Sequence, residues 1–147
     1  MGIKVNLLYE EITEKIIGAA MEVHNVLGSG FLEGVYEEAL CIELARRGLE
    51  YKSQEELSIA YKDLILRHKY IADMIIEDKI IIEAKATSGF TEVDEAQLFN
   101  YLKATGKKVG LLINFGKPRL EWKRLICESY FQSHTNSHKK SSSAQSA

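Results

Sequence analysis

From Tyr9 to Leu27, apolar residues recur at helical spacing: Ile12, Ile16, Ala19, Ala20, Val23, Val26 and Leu27. This predicts an amphipathic helix. Gly28-Ser29-Gly30 ends it, because glycine reaches backbone conformations that other residues resist. A second helix is expected from about Leu32 to Arg47, closed by Gly48. The period then changes. Glu56 to Lys62 alternates loosely, Lys62-Asp63 reads as a turn, and Leu64 to Glu77 reads as one or two strands. Asp78-Lys79 marks another turn before the isoleucine-rich run Ile80 to Ala86. Stretches 70–77 and 80–86 are apolar on both faces apart from a few charges, the pattern of central strands covered on both sides. A third helix is expected over Glu92 to Thr105, with Thr91 and Asp94 as a capping box and Gly106 at its end. Val109 to Phe115 is a compact apolar strand and Gly116-Lys117-Pro118 a turn. Leu120 to Ile126 alternates as a last strand nearer an edge.

The order helix, helix, strands, helix, strand, strand predicts one α/β domain with a mixed sheet over residues 1–130. From Ser133 onward the chain holds Ser, His, Asn, Lys and Gln and no large apolar residue, so residues 131–147 are expected to be a disordered Ser-rich tail. With 147 residues, 46% of them apolar and 27% charged, the chain can bury a core without staples. A formal charge of −2 provides no global basic field. Nucleic acid would have to be held by a local patch, or by metal ions bridging acidic residues to phosphate. Cys41 and Cys127 lie in apolar surroundings and read as reduced thiols, not as a disulfide framework. No run approaches membrane-spanning length and the N-terminus lacks a signal-peptide plan, so a cytoplasmic, membrane-free protein is expected.

The chemically informative residues are charges inside the two central strands. Asp73 interrupts Ile71-Ala72-Asp73-Met74-Ile75-Ile76, and Glu83 and Lys85 interrupt Ile80 to Ala86. An isolated buried charge costs several kcal/mol or shifts its pKa, so each needs a partner, a metal or a cleft. Strand side chains alternate, so Glu83 and Lys85 share a face. If Ile76 pairs with Ile80 across a three-residue loop, Asp73 lies opposite Glu83 with Cβ atoms roughly 5 Å apart. A two-residue loop would put the carboxylates on opposite faces. The three-residue loop is the one expected. Carboxylates that close repel unless a cation sits between them, and hard oxygen ligands favour Mg²⁺ or Mn²⁺. A neighbouring lysine can orient water or neutralise charge developing on phosphate. On these residues alone, a buried ion pair that merely holds the hairpin remains an open alternative.

The element order and this triplet resemble the PD-(D/E)xK, or restriction-endonuclease-like, nuclease superfamily. Gly30-Phe31-Leu32-Glu33-Gly34-Val35-Tyr36 resembles the signature of the GxxExxY family, and Gln97-Leu98-Phe99-Asn100-Tyr101 the QxxxY motif of RecB-like members. Tyr36-Glu37-Glu38-Ala39-Leu40 and Leu111 to Gly116 look similar too, and the resemblance spans about residues 10–127. It implies a mixed sheet flanked by helices on both faces, metal ligation by Asp73 and Glu83 with Glu33 completing the site, and Lys85 as catalytic lysine. Gln97 and Tyr101 would orient Lys85, a water or a substrate phosphate. The implied activity is Mg²⁺- or Mn²⁺-dependent hydrolysis of nucleic acid, DNA in preference to RNA. Ala72 stands where the superfamily's name has proline.

Tyr36 alone reads as a core-edge tyrosine with a bonded hydroxyl, Glu37 and Glu38 as solvated or supporting carboxylates, and His24 as a bonded, partly buried histidine. His68, between Arg67 and Lys69, reads as part of a basic strand edge. His134 and His138 have i, i+4 spacing in a tail that would not hold it. Lys103, Lys107, Lys108, Lys117, Arg119, Lys123 and Arg124 could track a phosphate backbone, or form an ordinary charged surface. Two rivals to an enzyme stay open. One is a weak or inactive module of this fold that binds nucleic acid or a protein. The other is an interaction protein, for example a homodimer, in which the triplet is an ion-pair network.

Overall fold

The computed structural model describes residues 7–127. The expected tail of residues 131–147 lies outside them. The first helix, α1 (Glu10–Leu27), buries Ile16, Ala19, Ala20 and Val23 of the predicted stripe together with Ile17 beside it, while Val26 is left exposed. Helix α2 (Glu33–Arg46) buries Tyr36, Leu40 and Leu44, residues four apart that line one face. Strands β1 (Tyr51–Tyr61) and β2 (Leu64–Ile76) form a long hairpin, and β3 (Ile80–Lys85) returns antiparallel to β2. Helix α3 (Glu92–Thr105) carries the chain to β4 (Val109–Asn114), which runs parallel to β3, and β5 (Glu121–Ile126) closes the sheet antiparallel to β4.

The sheet order is β1-β2-β3-β4-β5, so the isoleucine run is the middle strand and β5 an edge, as its pattern predicted. Two cores result. One face packs Met74, Ile76, Ile80, Ile82, Ala84, Leu111 and Ile113 against α1 and α2. The other packs Ile75, Ile81, Leu112 and Leu125 against Leu98, Tyr101 and Leu102 of α3. The fold is therefore α/β, a mixed sheet with helices on both faces. Helix α3 lies close enough over β4 that a side chain at Gly110 would press on Leu98, its Cβ 2.9 Å from the Leu98 Cγ. The capping box is present: Asp94 N–H donates to Thr91 Oγ1 at 3.1 Å, and Thr91 N–H to Asp94 Oδ2 at 3.0 Å.

One boundary differs from expectation. Strand β1 begins at Tyr51 rather than Glu56, and residues 51–54 are all exposed, so no buried face imprints a period there. Leu64 to Ile76 is one strand whose outer half is exposed, burial starting only near Tyr70. No helix among the described residues is long and apolar enough to cross a membrane.

Candidate metal centre

The β2–β3 hairpin has the register on which the site depends. Ile76 pairs with Ile80, Ile75 with Ile81 and Met74 with Ile82, so the next opposed pair is Asp73 and Glu83. There side chains replace ladder partners. Asp73 N–H donates to Glu83 Oε1 at 3.0 Å, and Ala84 N–H donates to Asp73 Oδ2 at 2.9 Å.

The other side of β2 is distorted at the same point. Ser53 pairs with Met74 and Glu55 with Ala72, and between them Gln54 takes φ 51°, a left-handed conformation uncommon for a residue with a side chain. Residues two apart on a regular strand share a face, yet Ala72 packs in the α3 core and Met74 in the α1–α2 core. Strand β2 turns over at Asp73. Its carboxylate consequently sits at the boundary of the two layers and meets α2, where oxygens of Glu33, Glu37 and Asp73 lie within 4.8 Å of one another. Gln54 Nε2 donates to Glu37 Oε2 at 3.0 Å from the facing strand.

Glu33 is held by its loop. It is the first residue of α2, and Tyr36, one turn on, is fully buried. The Tyr36 hydroxyl donates to Gly28 O at 2.6 Å and accepts from Phe31 N–H at 3.2 Å, while its ring stacks on Phe115 at 4.7 Å. The tyrosine thus fixes the Gly28–Phe31 loop; its hydroxyl is bonded as expected, and its ring lies inside the core and not at its edge. Lys85 is anchored from below. Buried Asn114 accepts from Thr87 N–H and Gly116 N–H and donates to Thr87 O, each at 3.0 Å, and Phe115 N–H donates to Lys85 O at 2.8 Å. A Cβ at Gly116 would overlap the Thr87 backbone, so only glycine permits this approach.

Crowding of acids shows in their protonation. Burial first, and the neighbouring Asp73 charge second, push Glu83 up to about 8. Burial, then Asp73 and Glu33, push Glu37 up to about 7. Glu33 is raised chiefly by burial, opposed by the Lys85 charge. Lys85 lies 3.7 Å from Asp94 Oδ1 on α3. Gln97 Nε2 donates to the Tyr101 hydroxyl at 2.8 Å, and that hydroxyl is raised by burial and then by the Glu83 charge. The Tyr101 ring packs on Tyr70, centroids 5.0 Å apart.

A sequence profile described as the PD-(D/E)XK nuclease superfamily matches residues 10–125. The chain belongs to that superfamily. No curated protein shows a significant match. Among solved structures, SSO0001 aligns at 20% identity with a TM-score of 0.50, over 84% of this chain and 63% of that one; the likeness is one of fold. The chain spans less than two thirds of that structure's length. An alkaline exonuclease from Laribacter hongkongensis aligns over 98% of this chain and 90% of that one, at 10% identity and a TM-score of 0.43, too distant to carry an argument.

Within this superfamily fold, Asp73 and Glu83 stand together, Glu33 joins Asp73 from α2, and Lys85 enters from the end of β3. Gln97 and Tyr101 bond each other on α3. Among the described residues, the three carboxylates whose oxygens lie within 4.8 Å of one another include Glu37 and not Glu83. Glu37, expected to be solvated or supporting, faces Asp73. Its signal was its position one turn after Glu33 on the same helix face. Gln54 had no sequence signal. The histidine expectations fit as well: His24 Nε2 bonds Lys117 O at 2.9 Å, and His68 is exposed on β2. His134 and His138 lie outside the described residues. Both cysteines are free, Cys127 buried and Cys41 half-buried.

Proposed function

We propose that this chain is a metal-dependent nuclease that hydrolyses nucleic-acid phosphodiester bonds, DNA in preference to RNA. The observation that carries the proposal is the opposition of Asp73 and Glu83, with Lys85 two residues beyond Glu83 and helical carboxylates converging on Asp73. Oxygen-only donors this close suit a hard divalent ion, Mg²⁺ or Mn²⁺. Asp73, Glu83 and Glu33 would hold the ion. Such an ion, when bound, activates water and stabilises charge on a phosphoryl oxygen.

The remaining roles fall to the chain. Lys85, restrained by Asp94, presents its ammonium beside the carboxylates, where it can bind a phosphate oxygen or position water. Gln97 and Tyr101, bonded to one another, place a hydroxyl close to Glu83 and can orient a water or phosphate from the α3 side. Gly30 to Tyr36 would then be the GxxExxY signature, with Tyr36 fixing the loop that delivers Glu33, and Gln97 to Tyr101 the QxxxY motif.

The test is calorimetric binding of Mg²⁺ and Mn²⁺ to wild type, Asp73→Asn and Glu83→Gln, followed by cleavage assays on the same preparations. Binding lost in both variants with matching loss of cleavage supports the proposal. Wild-type chain that binds neither ion, with or without nucleic acid, would overturn it.

A further inference from the structure

Beyond the Leu57–Tyr70 pair, the β1–β2 hairpin continues as a two-stranded ribbon, with Ser58 paired to Lys69, Ala60 to Ile65 and Tyr61 to Leu64. Every residue from Leu64 to Lys69 is exposed, and the other strand is half-buried only at Ile59. A hairpin uncovered on both faces is marginal in water by itself, so a projecting one calls for a partner.

Its charge indicates which partner. Residues 58–69 hold Lys62, Arg67 and Lys69 against a single acid, Asp63, in a chain whose overall charge is −2. Among the described residues none of these three cations is in an ion pair; Lys69 Nζ donates to Ser58 Oγ at 3.4 Å and Lys62 sits 5.5 Å from the Tyr61 ring centre. Four of the late basic residues are already engaged. Lys107 is bound to Asp78, Lys117 to Glu121 and Lys123 to Glu95, and Arg124 donates to Leu8 O at 2.7 Å. Lys69 lies four residues, about 13 Å, along the same strand from Asp73, and Arg67 sits two residues farther out, where the β1–β2 register shifts between the Ser58–Lys69 and Ala60–Ile65 pairs. Tyr61, 59% exposed, offers a ring of the kind on which bases stack.

We propose that the ribbon from Ser58 to Lys69 is a nucleic-acid-binding arm, in which Arg67 and Lys69 contact backbone phosphates and Tyr61 stacks on a base, guiding the strand toward Asp73. The proposal rests on the nuclease reading for the identity of its partner. A second copy of the chain, covering Leu64 and Ile65, is the competing occupant.

Anisotropy of a labelled single-stranded DNA oligonucleotide decides between them, measured with the Asp73→Asn chain so that cleavage does not consume the probe. Arg67→Ala/Lys69→Ala is expected to weaken binding on the order of tenfold and to flatten the slope of log K against log salt by about 1.4. The charge-keeping swap Arg67→Lys/Lys69→Arg is expected to preserve the slope. Both sites are exposed, and a wild-type-like cooperative melt verifies folding. Unchanged affinity and slope in the alanine pair would overturn the arm, as would a sedimentation change from dimer to monomer with binding intact. Cleavage by the wild-type chain is scored separately: arm-dependent binding without cleavage removes the nuclease reading and leaves the arm, and cleavage with arm-independent binding does the reverse.

Discussion

Asp73 and Glu83 face each other across the β2–β3 hairpin, and each carboxylate takes over a backbone bond, Glu83 Oε1 from Asp73 N–H and Asp73 Oδ2 from Ala84 N–H. The pair is therefore both the proposed ligand set and part of the sheet. These roles separate by substitution. Glu83→Gln keeps an acceptor for Asp73 N–H and cannot ionise, so at about pH 5 the metal-free chain should keep its urea midpoint while divalent-ion binding is lost. Glu83→Ala leaves that N–H without its partner and opens space, and is expected to destabilise by about 1–3 kcal/mol. Equal destabilisation by Gln and Ala would show that charge, not the bond, matters to the fold.

Tyr36 links the loop to the site. Its buried hydroxyl bonds both Gly28 O and Phe31 N–H, two residues before Glu33 begins α2. Tyr36→Phe keeps the stack on Phe115 and deletes those bonds, with an expected loss of about 1 kcal/mol, a few degrees in melting temperature. Because the loop delivers Glu33, divalent-ion affinity measured by calorimetry should fall as well. A variant that melts lower yet binds the ion as wild type does would detach Glu33 from the proposed ligand set.

Much of this arrangement is legible in the chain itself, for identifiable reasons. The charges select the hairpin register, since a slip by one residue would turn Asp73 and Glu83 to opposite faces, so Ile76 opposite Ile80 could be expected. Thr91, Asp94 and Gly106 announce α3 by local chemistry that needs no tertiary contact. What escaped is set by contacts between distant segments. The positive φ of Gln54 and the turning over of β2 at Asp73 arise where the β1–β2 pairing skips one step, and nothing in Ser53-Gln54-Glu55 signals it. Glu37 could be placed on the face of Glu33, but not against Asp73, until that strand distortion was known. The start of β1 at Tyr51 was hidden because an exposed edge strand has no buried side to impose alternation.

Two glycines make opposite predictions. A Cβ at Gly116 would overlap the backbone of Thr87, which cannot swing aside as a side chain tip could. Gly116→Ala should destabilise by more than about 2 kcal/mol and disturb Lys85, whose carbonyl is bonded next door by Phe115 N–H. Gly34 lies inside α2, and a methyl group added there would meet nothing within 4 Å. Gly34→Ala should raise stability by about 0.5–1 kcal/mol through helix propensity alone. Chemical denaturation of the two variants checks both signs.

The raised carboxyls predict linked pH effects on stability and on ion binding. Glu83 lies at about 8, against an ordinary value of 4.5, and Glu37 at about 7, in each case through burial first and the charge of Asp73 second. A folded-state pKa above the unfolded one means that the folded chain holds more protons between those values. The associated stability is fully present below about 4.5 and is lost as pH rises through about 8. The metal-free chain should therefore show a denaturation midpoint that falls from about pH 5 to pH 9, and Glu83→Gln should flatten that fall. Ion binding has the opposite sign, because ligating carboxylates must lose their protons. Mg²⁺ affinity should rise between about pH 6 and pH 8.5, and calorimetry in buffers of different ionisation heat should detect protons released on binding, fewer in Glu83→Gln if that variant retains any affinity. An affinity independent of pH across this range would mean that the ion does not displace these protons, and would remove Glu83 from the proposed site.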